Sequence, residues 1–410
     1  MLKVNKLDST TYKQLLAASK VRYFFNQMGE FGESKMAEGN KVDYLSFSDS
    51  SGETQALALV VYYQYKKILH YGNCIFGPTL LNPSPKLLDE VLQTLKKTVL
   101  RHADVRFLRC NPLIPANLYE DVTMIAENVG DDYRSIFRRN GFAHINREWY
   151  QDPNINLRCI YNKPIAGMSY PEILASLTPN LKMRMRKAEQ SGIKVRMLNL
   201  DELDIFDHIL EETYARMDTN IAVRPAFHRS LWRHFGSKIY FPVAYINCDE
   251  ALNTYKTLVE SINLAQAELD AQYGENRGKK YQNLSRDNTD QLNRLHNLTA
   301  KVAALRKERG EIVYLCAGCF IESGQDFIHL LGGGEKALMN FDGVLAMHAH
   351  MLQLAVQGGF ANYNLYGCSD LLDEATNNVD YGVLQFKRTF RGNFEEFIGT
   401  YEFRKSWLAL

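Results

Sequence analysis

Between two apolar, strand-like stretches, KIYFPVAYINC and EIVYLCAGCF, the chain runs through residues 250–310 without a proline and turns polar and helix-prone. In EALNTYKTLVESINLAQAELDAQ, residues Leu258, Ile262, Ala265 and Leu269 step by four, three and four. In LNRLHNLTAKVAALRKERG, residues Leu295, Leu298, Val302 and Leu305 step by three, four and three. Such seams are too short for a long dimeric rod and suit one antiparallel helical hairpin, with YGENRGKKYQNLSRDN as its tip. The constraint on the fold is strong: an arm over 250–310 replaces a tight turn between two neighbouring strands, so a sheet must be built around it. GENRGKK in the tip evokes a phosphate loop, but the spacing differs from that motif and no Ser or Thr follows the lysines.

The rest of the chain reads as α/β, twice over. KVDYLSFSD and TQALALVVYYQY form a hairpin around SSGE, and KKILHYGNCIFGP is a third strand ending at Gly77-Pro78. SPKLLDEVLQTLKKTVLRHA opens with Ser-Pro and carries apolar residues at helical spacing. DVRFLRCNP is a buried strand, and DDYRSIFRRNGFAHINREW is a helix, a glycine stop and another strand. In the second half, GIKVRML is a strand, DELDIFDHILEETYARM and RPAFHRSLWRHF are helices, and EIVYLCAGCFIESGQDFIHLLGGG is a hairpin turning at Ser323-Gly324. NFDGVLAMHAHMLQLAVQGGF is a helix with Phe341, Val344, Leu345, His348, Leu352, Ala355 and Val356 on one face, and ANYNLYGC is a strand. A chain of 410 residues exceeds one usual core. The expectation is two related α/β domains, each a mixed sheet with flanking helices: 1–155 plus 392–410, and 156–391, with the arm at 250–310 inside the second.

The net charge of +1 argues against wholesale nucleic-acid coating and leaves local basic patches open. No apolar run reaches the roughly 18–20 residues of a membrane span, and MLKVNKLDSTTYKQ lacks a signal-peptide layout. Of seven cysteines only Cys316 and Cys319 come close together, in a strand where their spacing points the thiols to opposite faces. No second Cys/His pair completes a zinc set, so structural thiols in a cytoplasmic, reducing setting are expected, and no metal. His348 and His350, two apart on a helix, cannot face one ion together.

Two stretches carry cations in unusual company. GVLQFKRTFRGNF sets Lys387 and Arg388 among phenylalanines, between a helix turn and a strand; Lys387 is either a solvated lysine with a packed stem or a cation held in a partly dry cleft. LKMRMRKAEQSG carries Lys182, Arg184, Arg186 and Lys187, which cover more than one helix face. They read either as a solvated helix or as a phosphate-tracking patch for RNA or an anionic lipid-linked molecule. RRNGFA has the letters of an acyl-CoA pyrophosphate loop from Arg138 to Ala143. Such a loop must open a helix; here the glycine ends one and leads into a strand, so it reads as a helix C-cap.

Strand–strand–strand–helix–strand–helix, used twice, is similar to the fold of the acetyl-CoA-dependent N-acetyltransferases (GNAT). Duplicated domains of that kind with a helical hairpin interrupting the second resemble the FemABX family of non-ribosomal peptidyltransferases, and the arm resembles that of its FemA/FemB and MurM/MurN branches. FNQMGEFGESKMAEG, FGPTL, the Arg-Pro of AVRPAFHRSLW, PVAYINCDE, NYNLYGC and GVLQFKRTF look family-like in order, over nearly the whole chain. The resemblance implies transfer of an amino acid from aminoacyl-tRNA to the stem-peptide lysine, or the growing cross-bridge, of a lipid-linked or UDP-linked peptidoglycan precursor. Alanine or serine is favoured and glycine is open.

Carried over by position, the resemblance implies Lys387 near the acyl-transfer centre, with Phe386 shaping the cleft. It implies Lys35, in GESKMAEG, and Arg224, before Pro225, as cations on the precursor's phosphates. Aminolysis of an ester builds negative charge on the carbonyl oxygen, which a fixed ammonium stabilises, and diphosphate recognition favours converging cations. Three positions depart. Asn111 stands where the family has an aspartate considered as a base, and can position an amine or carbonyl but accept no proton. Leu331 and His228 stand where tyrosines are expected, His228 at a precursor contact. The expected partners are aminoacyl-tRNA as co-substrate, with no other cofactor, and the precursor, with peripheral contact at the inner membrane surface open. The alternative is an acyl-CoA-dependent N-acetyltransferase.

Overall fold

The structure is a computed structural model and describes residues 2–145, 155–189, 191–217, 222–375 and 381–405. A lone strand β1 (Lys3–Leu7) leads into helices α1 (Ser9–Ala18) and α2 (Gly29–Ala37), the first capped by Asp8, which accepts from Thr11 N. The expected hairpin follows as β2 (Lys41–Ser48) and β3 (Thr54–Lys66), then β4 (Leu69–Cys74) and a two-residue β5 (Thr79–Leu80). β3 is apolar on both sides because both are covered: Leu57, Leu59 and Val61 face one core, and Ala56, Ala58 and Val60 another. Helix α3 (Pro85–Leu100) starts where Ser84 accepts from Leu87 N at 3.2 Å, and buries Leu88, Val91, Leu92, Leu95 and Val99. Next come β6 (Val105–Cys110), a hairpin β7 (Pro115–Glu120) and β8 (Thr123–Ala126), and α4 (Asp131–Arg139). Gly141, at φ +79°, turns the chain from α4 into β9 (Ala143–Ile145). The Arg138–Ala143 stretch therefore closes a helix and opens none. Continuation of β9 toward Trp149 lies outside the described residues.

The second half begins with β10 (Cys159–Pro164), α5 (Tyr170–Ser176), α6 (Pro179–Glu189), β11 (Ile193–Met197), α7 (Leu203–Arg216) and α8 (Pro225–Phe235). KIYFPVAYINC splits into β12 (Ile239–Tyr240) and β13 (Pro242–Asn247). The arm is α9 (Cys248–Tyr273) and α10 (Lys279–Arg309), and β14 (Ile312–Ser323) and β15 (Asp326–Gly334) form the hairpin after it. Then follow α11 (Gly343–Gln357), β16 (Asn362–Gly367), α12 (Tyr381–Arg388), β17 (Asn393–Phe397) and β18 (Thr400–Arg404). α11 buries far more than one stripe, because β11, β13 and β14 pack on one side and α5 and α6 on another. Lys387 lies on α12 itself, in its last turn, rather than between helix and strand.

Two mixed sheets result. The first runs β1-β2-β3-β4-β6-β18-β9, with β5 on β3; the second runs β11-β13-β14-β15-β16-β10-β17-β7-β8, with β12 on β14. Sheet membership cuts across the expected boundaries. β17, expected with the N-terminal part, pairs with β10 and with β7, so the β7–β8 hairpin joins the second sheet and only β18 returns to the first. Residues 406–410 of that expected tail lie outside the described residues. Between the sheets lies a shared core of Phe24, Phe25 and Leu59 with Phe206, Val243 and Ile328. Cys316 and Cys319 enter different cores on opposite faces of β14, and all seven cysteines are free and buried.

The arm is antiparallel, since Gln266 meets Asn288 (2.9 Å), Asp270 meets Tyr281 (2.6 Å) and Asp249 meets Arg306 (2.8 Å). On α10 the expected Leu295, Leu298, Val302 and Leu305 turn inward. On α9 the expected register holds in part: Ile262 and Leu269 turn inward, whereas Leu258 and Ala265 are exposed and Tyr255, Val259 and Gln266 complete the inner line. The reason is that the outer seam is polar, held by Gln266, Asp270, Asn288 and Tyr281, so an apolar pattern puts Ala265 where Gln266 turns inward. At the base, Ala251, Tyr255, Leu295, Val302 and Leu305 belong to the main core of the second sheet, and the Tyr255 hydroxyl binds the Ser191 carbonyl.

Candidate functional site

Strands β15 and β16 run parallel in register only from Asp326↔Asn362 to Ile328↔Asn364. Beyond Ile328, β15 stays on β14 while β16 departs, and a cavity of about 480 Å³ opens in the gap. The matching parallel pair of the first sheet, β4 and β6, shifts register between His70 and Tyr71 and then stays paired to the end of both strands at Cys74↔Cys110. At the end of β16, Tyr366 takes a left-handed φ of +60°, with its N–H on Asn364 Oδ1 at 2.8 Å. A bulky residue rarely adopts that conformation, and it marks a place where the surroundings over-determine the backbone.

Into this turn projects Lys387. Its side chain is buried, and Nζ donates to the carbonyls of Gly367 and, at 3.3 Å, Tyr366. Carbonyl anchoring fixes the ammonium at one point of the cavity wall. Phe386 lines the same wall and packs its ring on His348 (5.6 Å) and Phe390 (5.5 Å). Among the described residues, the charged side chains lining the cavity are Lys387, Arg184, Arg216 and one carboxylate, Asp342, which pairs with Arg184. Arg216 donates to the Gly334 carbonyl at 2.7 Å. The site is thus electropositive over a largely apolar floor.

Sequence reasoning missed His329, Arg216 and the glycine run beside them, and placed His348 only as part of a packing face. The rings of His329 and His348 stand perpendicular at 4.8 Å, and His348 Nδ1 shares a 2.7 Å hydrogen bond with the Tyr363 hydroxyl. Burial first, then the charge of Lys387, drives the His329 imidazole down to about 3, and burial holds His348 well below its ordinary range. Both stay neutral at physiological pH and add no charge beside Lys387. The available signal was FIHLLGGG: a Cβ on Gly333 would sit 2.3 Å from Thr213 Oγ1, so backbone must pass there bare.

These histidines carry a pH consequence. In the unfolded chain each binds a proton below about pH 6.5, whereas the fold holds both neutral to far lower pH. Where the unfolded state binds more protons, stability rises with pH. Carboxylates remain ionised across most of the range from pH 7 to 5, so Tm should fall there through these imidazoles together with those of His102, His228 and His350, which burial also lowers. Thermal melts at the two pH values check this: His348→Gln should flatten the dependence, and an unchanged slope contradicts it.

The other expected site residues divide. Lys35 and Arg224 do converge, both lying over the ring of Phe227, at 4.7 and 4.9 Å to its centroid. Lys35 is buried and pairs with Glu38 at 2.8 Å; burial pulls its ammonium below the ordinary range, opposed by Glu38. His228 is turned inward. It is buried with Nδ1 on Asp207 Oδ1 at 2.5 Å, linking α8 to α7. Asn111 is also buried: its Oδ1 accepts from Phe76 N and Asn156 Nδ2, each at 2.8 Å, clamping the loop after β4. It lines no part of the cavity that holds Lys387. On α6, Leu181, Met185 and Ala188 are buried, Arg184 faces the cavity, and Arg186 and Lys187 are exposed. Lys182 is half-buried and off the cavity lining, so the four cations do not share one face.

Among the described residues no cluster of His, Cys, Asp and Glu is arranged to hold a metal ion, and no helix is long and apolar enough to cross a membrane. A crystal structure of FemX superposes with a TM-score of 0.78 over 98% of this chain and 97% of its own, at 17% identity, which establishes the shared fold. The aminoacyltransferase FemA of Staphylococcus epidermidis is 26% identical over 385 residues, covering 92% of this chain and 90% of the relative. FemB of Staphylococcus epidermidis strain RP62A is 25% identical over 414 residues, covering 98% and 94%. The sequence model of the FemAB family matches residues 7–408. With that match spanning nearly the whole chain, and with named aminoacyltransferases aligned end to end, the chain belongs to the FemAB family and is an enzyme of the aminoacyltransferase class.

Proposed function

We propose that the chain transfers an amino acid, alanine or serine in preference to glycine, from aminoacyl-tRNA to the stem-peptide lysine or growing bridge of a lipid-linked peptidoglycan precursor. The observation that carries this is Lys387, buried and anchored on the Tyr366 and Gly367 carbonyls at the wall of a cavity between two diverging strands. A donor's aminoacyl ester enters that cavity. The acceptor amine attacks the ester carbonyl carbon, charge gathers on its oxygen beside the Lys387 ammonium, and the bond to the ribose oxygen breaks. The ribose leaves as its hydroxyl, taking up the proton that the amine sheds. Phe386 keeps water from the ester, and neutral His329 and His348 add no charge beside the ammonium. Lys35 and Arg224 meet the precursor's diphosphate over Phe227.

Three features support RNA as the donor. Arg186 and Lys187 are exposed beside the α6 face that carries Arg184 to the cavity. The arm tip, residues 275–286, carries Arg277, Lys279, Lys280 and Arg286 against Glu275. Arg138–Ala143 closes α4 and so cannot present main-chain N–H groups to a CoA pyrophosphate. The direct test incubates the protein with lipid-linked precursor and a panel of charged tRNAs, reading the precursor's mass. A shift by one residue from a single charged tRNA is expected; no shift with any of them contradicts the reading.

Phosphate contacts also release counterions, so donor affinity should fall steeply with salt. Arg186→Glu/Lys187→Glu should flatten that dependence by about 0.7 in log–log slope for each phosphate no longer neutralised, raising donor KM while acceptor KM changes little. An unchanged slope would remove α6 from the donor site.

A further inference from the structure

Strand β3 runs on past its pairing with β2 into a projecting turn. Lys41, the first residue of β2, stands opposite Tyr62, and the hairpin continues to Lys66↔Leu69. At its tip Ile68 is 79% exposed and Tyr65 41%, with Lys66 and Lys67 exposed between them. An isoleucine this bare on a turn buries nothing within the chain. The same end of the first sheet gathers further cations. Lys41 and Arg101 are exposed there, β18 ends at Arg404 opposite Phe107, and Lys405 follows with its N–H on the Arg106 carbonyl at 3.0 Å. The carboxylates nearby are largely committed: Asp43 to Lys6 and Tyr62, Glu402 to Arg109 and Arg404, and Asp104 to His70 at 3.0 Å. The rim is cationic around an apolar tip.

We propose that the Tyr65–Ile68 hairpin and its basic rim dock the protein on an anionic lipid surface, which it touches without crossing. An aliphatic side chain flanked by lysines fits a headgroup boundary, where the chain enters the acyl edge and the ammonium groups meet lipid phosphates. An RNA phosphate backbone would engage the cations but give Ile68 no reason to be bare, which favours lipid. Position agrees. The Lys35 carbonyl accepts from Asn40 N at 3.0 Å, one residue before Lys41, and Tyr63 sits within the field of both Glu38 and Arg224. Docking here holds the Lys35–Arg224 cradle at the membrane face. That orientation rests on the lipid-linked acceptor proposed above; the docking itself does not.

The test is co-sedimentation of the full chain with phosphatidylcholine vesicles, with and without phosphatidylglycerol. Wild type should bind only the anionic vesicles. Lys66→Glu/Lys67→Glu should bind at least about 25-fold more weakly, about fivefold for each surface cation removed, and Ile68→Ser about tenfold more weakly. Both variants should melt like wild type and transfer normally to a water-soluble nucleotide-linked precursor, so failure of docking and failure of the transferase reading are separable. Equal binding to both vesicle types, or unchanged binding by the charge variants, overturns the proposal. So does displacement of vesicles by tRNA while Ile68→Ser binds as wild type does, which assigns the rim to RNA.

Discussion

Lys387→Met should leave substrate binding near normal and lower kcat by about 10²–10³, the scale of losing one oxyanion donor. Methionine matches the length and apolar stem of lysine and removes only the ammonium. The position is built for a charge, since the Gly367 and Tyr366 carbonyls both accept from it. Leaving those carbonyls short of a donor costs about 1–3 kcal/mol, so a modest drop in Tm is part of the expectation and a collapse is not. Single-turnover rates with preformed donor complex separate chemistry from binding. Turnover within a few-fold of wild type would return Lys387 to a structural lysine that pins the end of β16.

Cutting the arm at its base and cutting it further out should give opposite results. Replacing Thr254–Lys307 by a short turn removes Tyr255, Leu295, Val302 and Leu305 from the main core of the second sheet. Losses of about 2–5 kcal/mol for each large buried side chain would sum beyond the usual stability of a domain, and the protein should aggregate. Replacing Ile262–Leu292 instead removes the polar seam of Gln266, Asp270, Tyr281 and Asn288, which closes on itself. Tm should then move by only a few degrees, while donor KM rises because the basic tip is gone. Equal stability of the two deletions, read by thermal melts, would contradict the account of where the arm ends and the core begins.

The sequence carried the order of strands and helices because apolar residues recur at two or at three and four wherever one or both faces are buried. TQALALVVYYQY and the α3 stripe are cases. The arm's place was legible for the same reason, but its α9 register only in part, since its outer contacts are amide and carboxylate side chains that no hydrophobic pattern reports. Pairing β7–β8 with β17 was hidden too, because partners almost 280 residues apart share no local signal. The cavity shows the sharper limit. Lys387 stood out as a cation among aromatic rings, yet His329 and Arg216 share a cavity with it only because β15 and β16 diverge. A motif position also says nothing of side-chain direction: Asn111 and His228 occupy the expected places and turn inward, onto Phe76 and Asp207.

The central claim is that the activated acyl group arrives on RNA at the Lys387 cavity. Transfer to the precursor should be assayed with charged tRNA, with charged tRNA plus ribonuclease, and with acetyl-CoA in its place. Transfer in the first reaction alone is predicted; transfer that survives ribonuclease, or proceeds from acetyl-CoA, would contradict it.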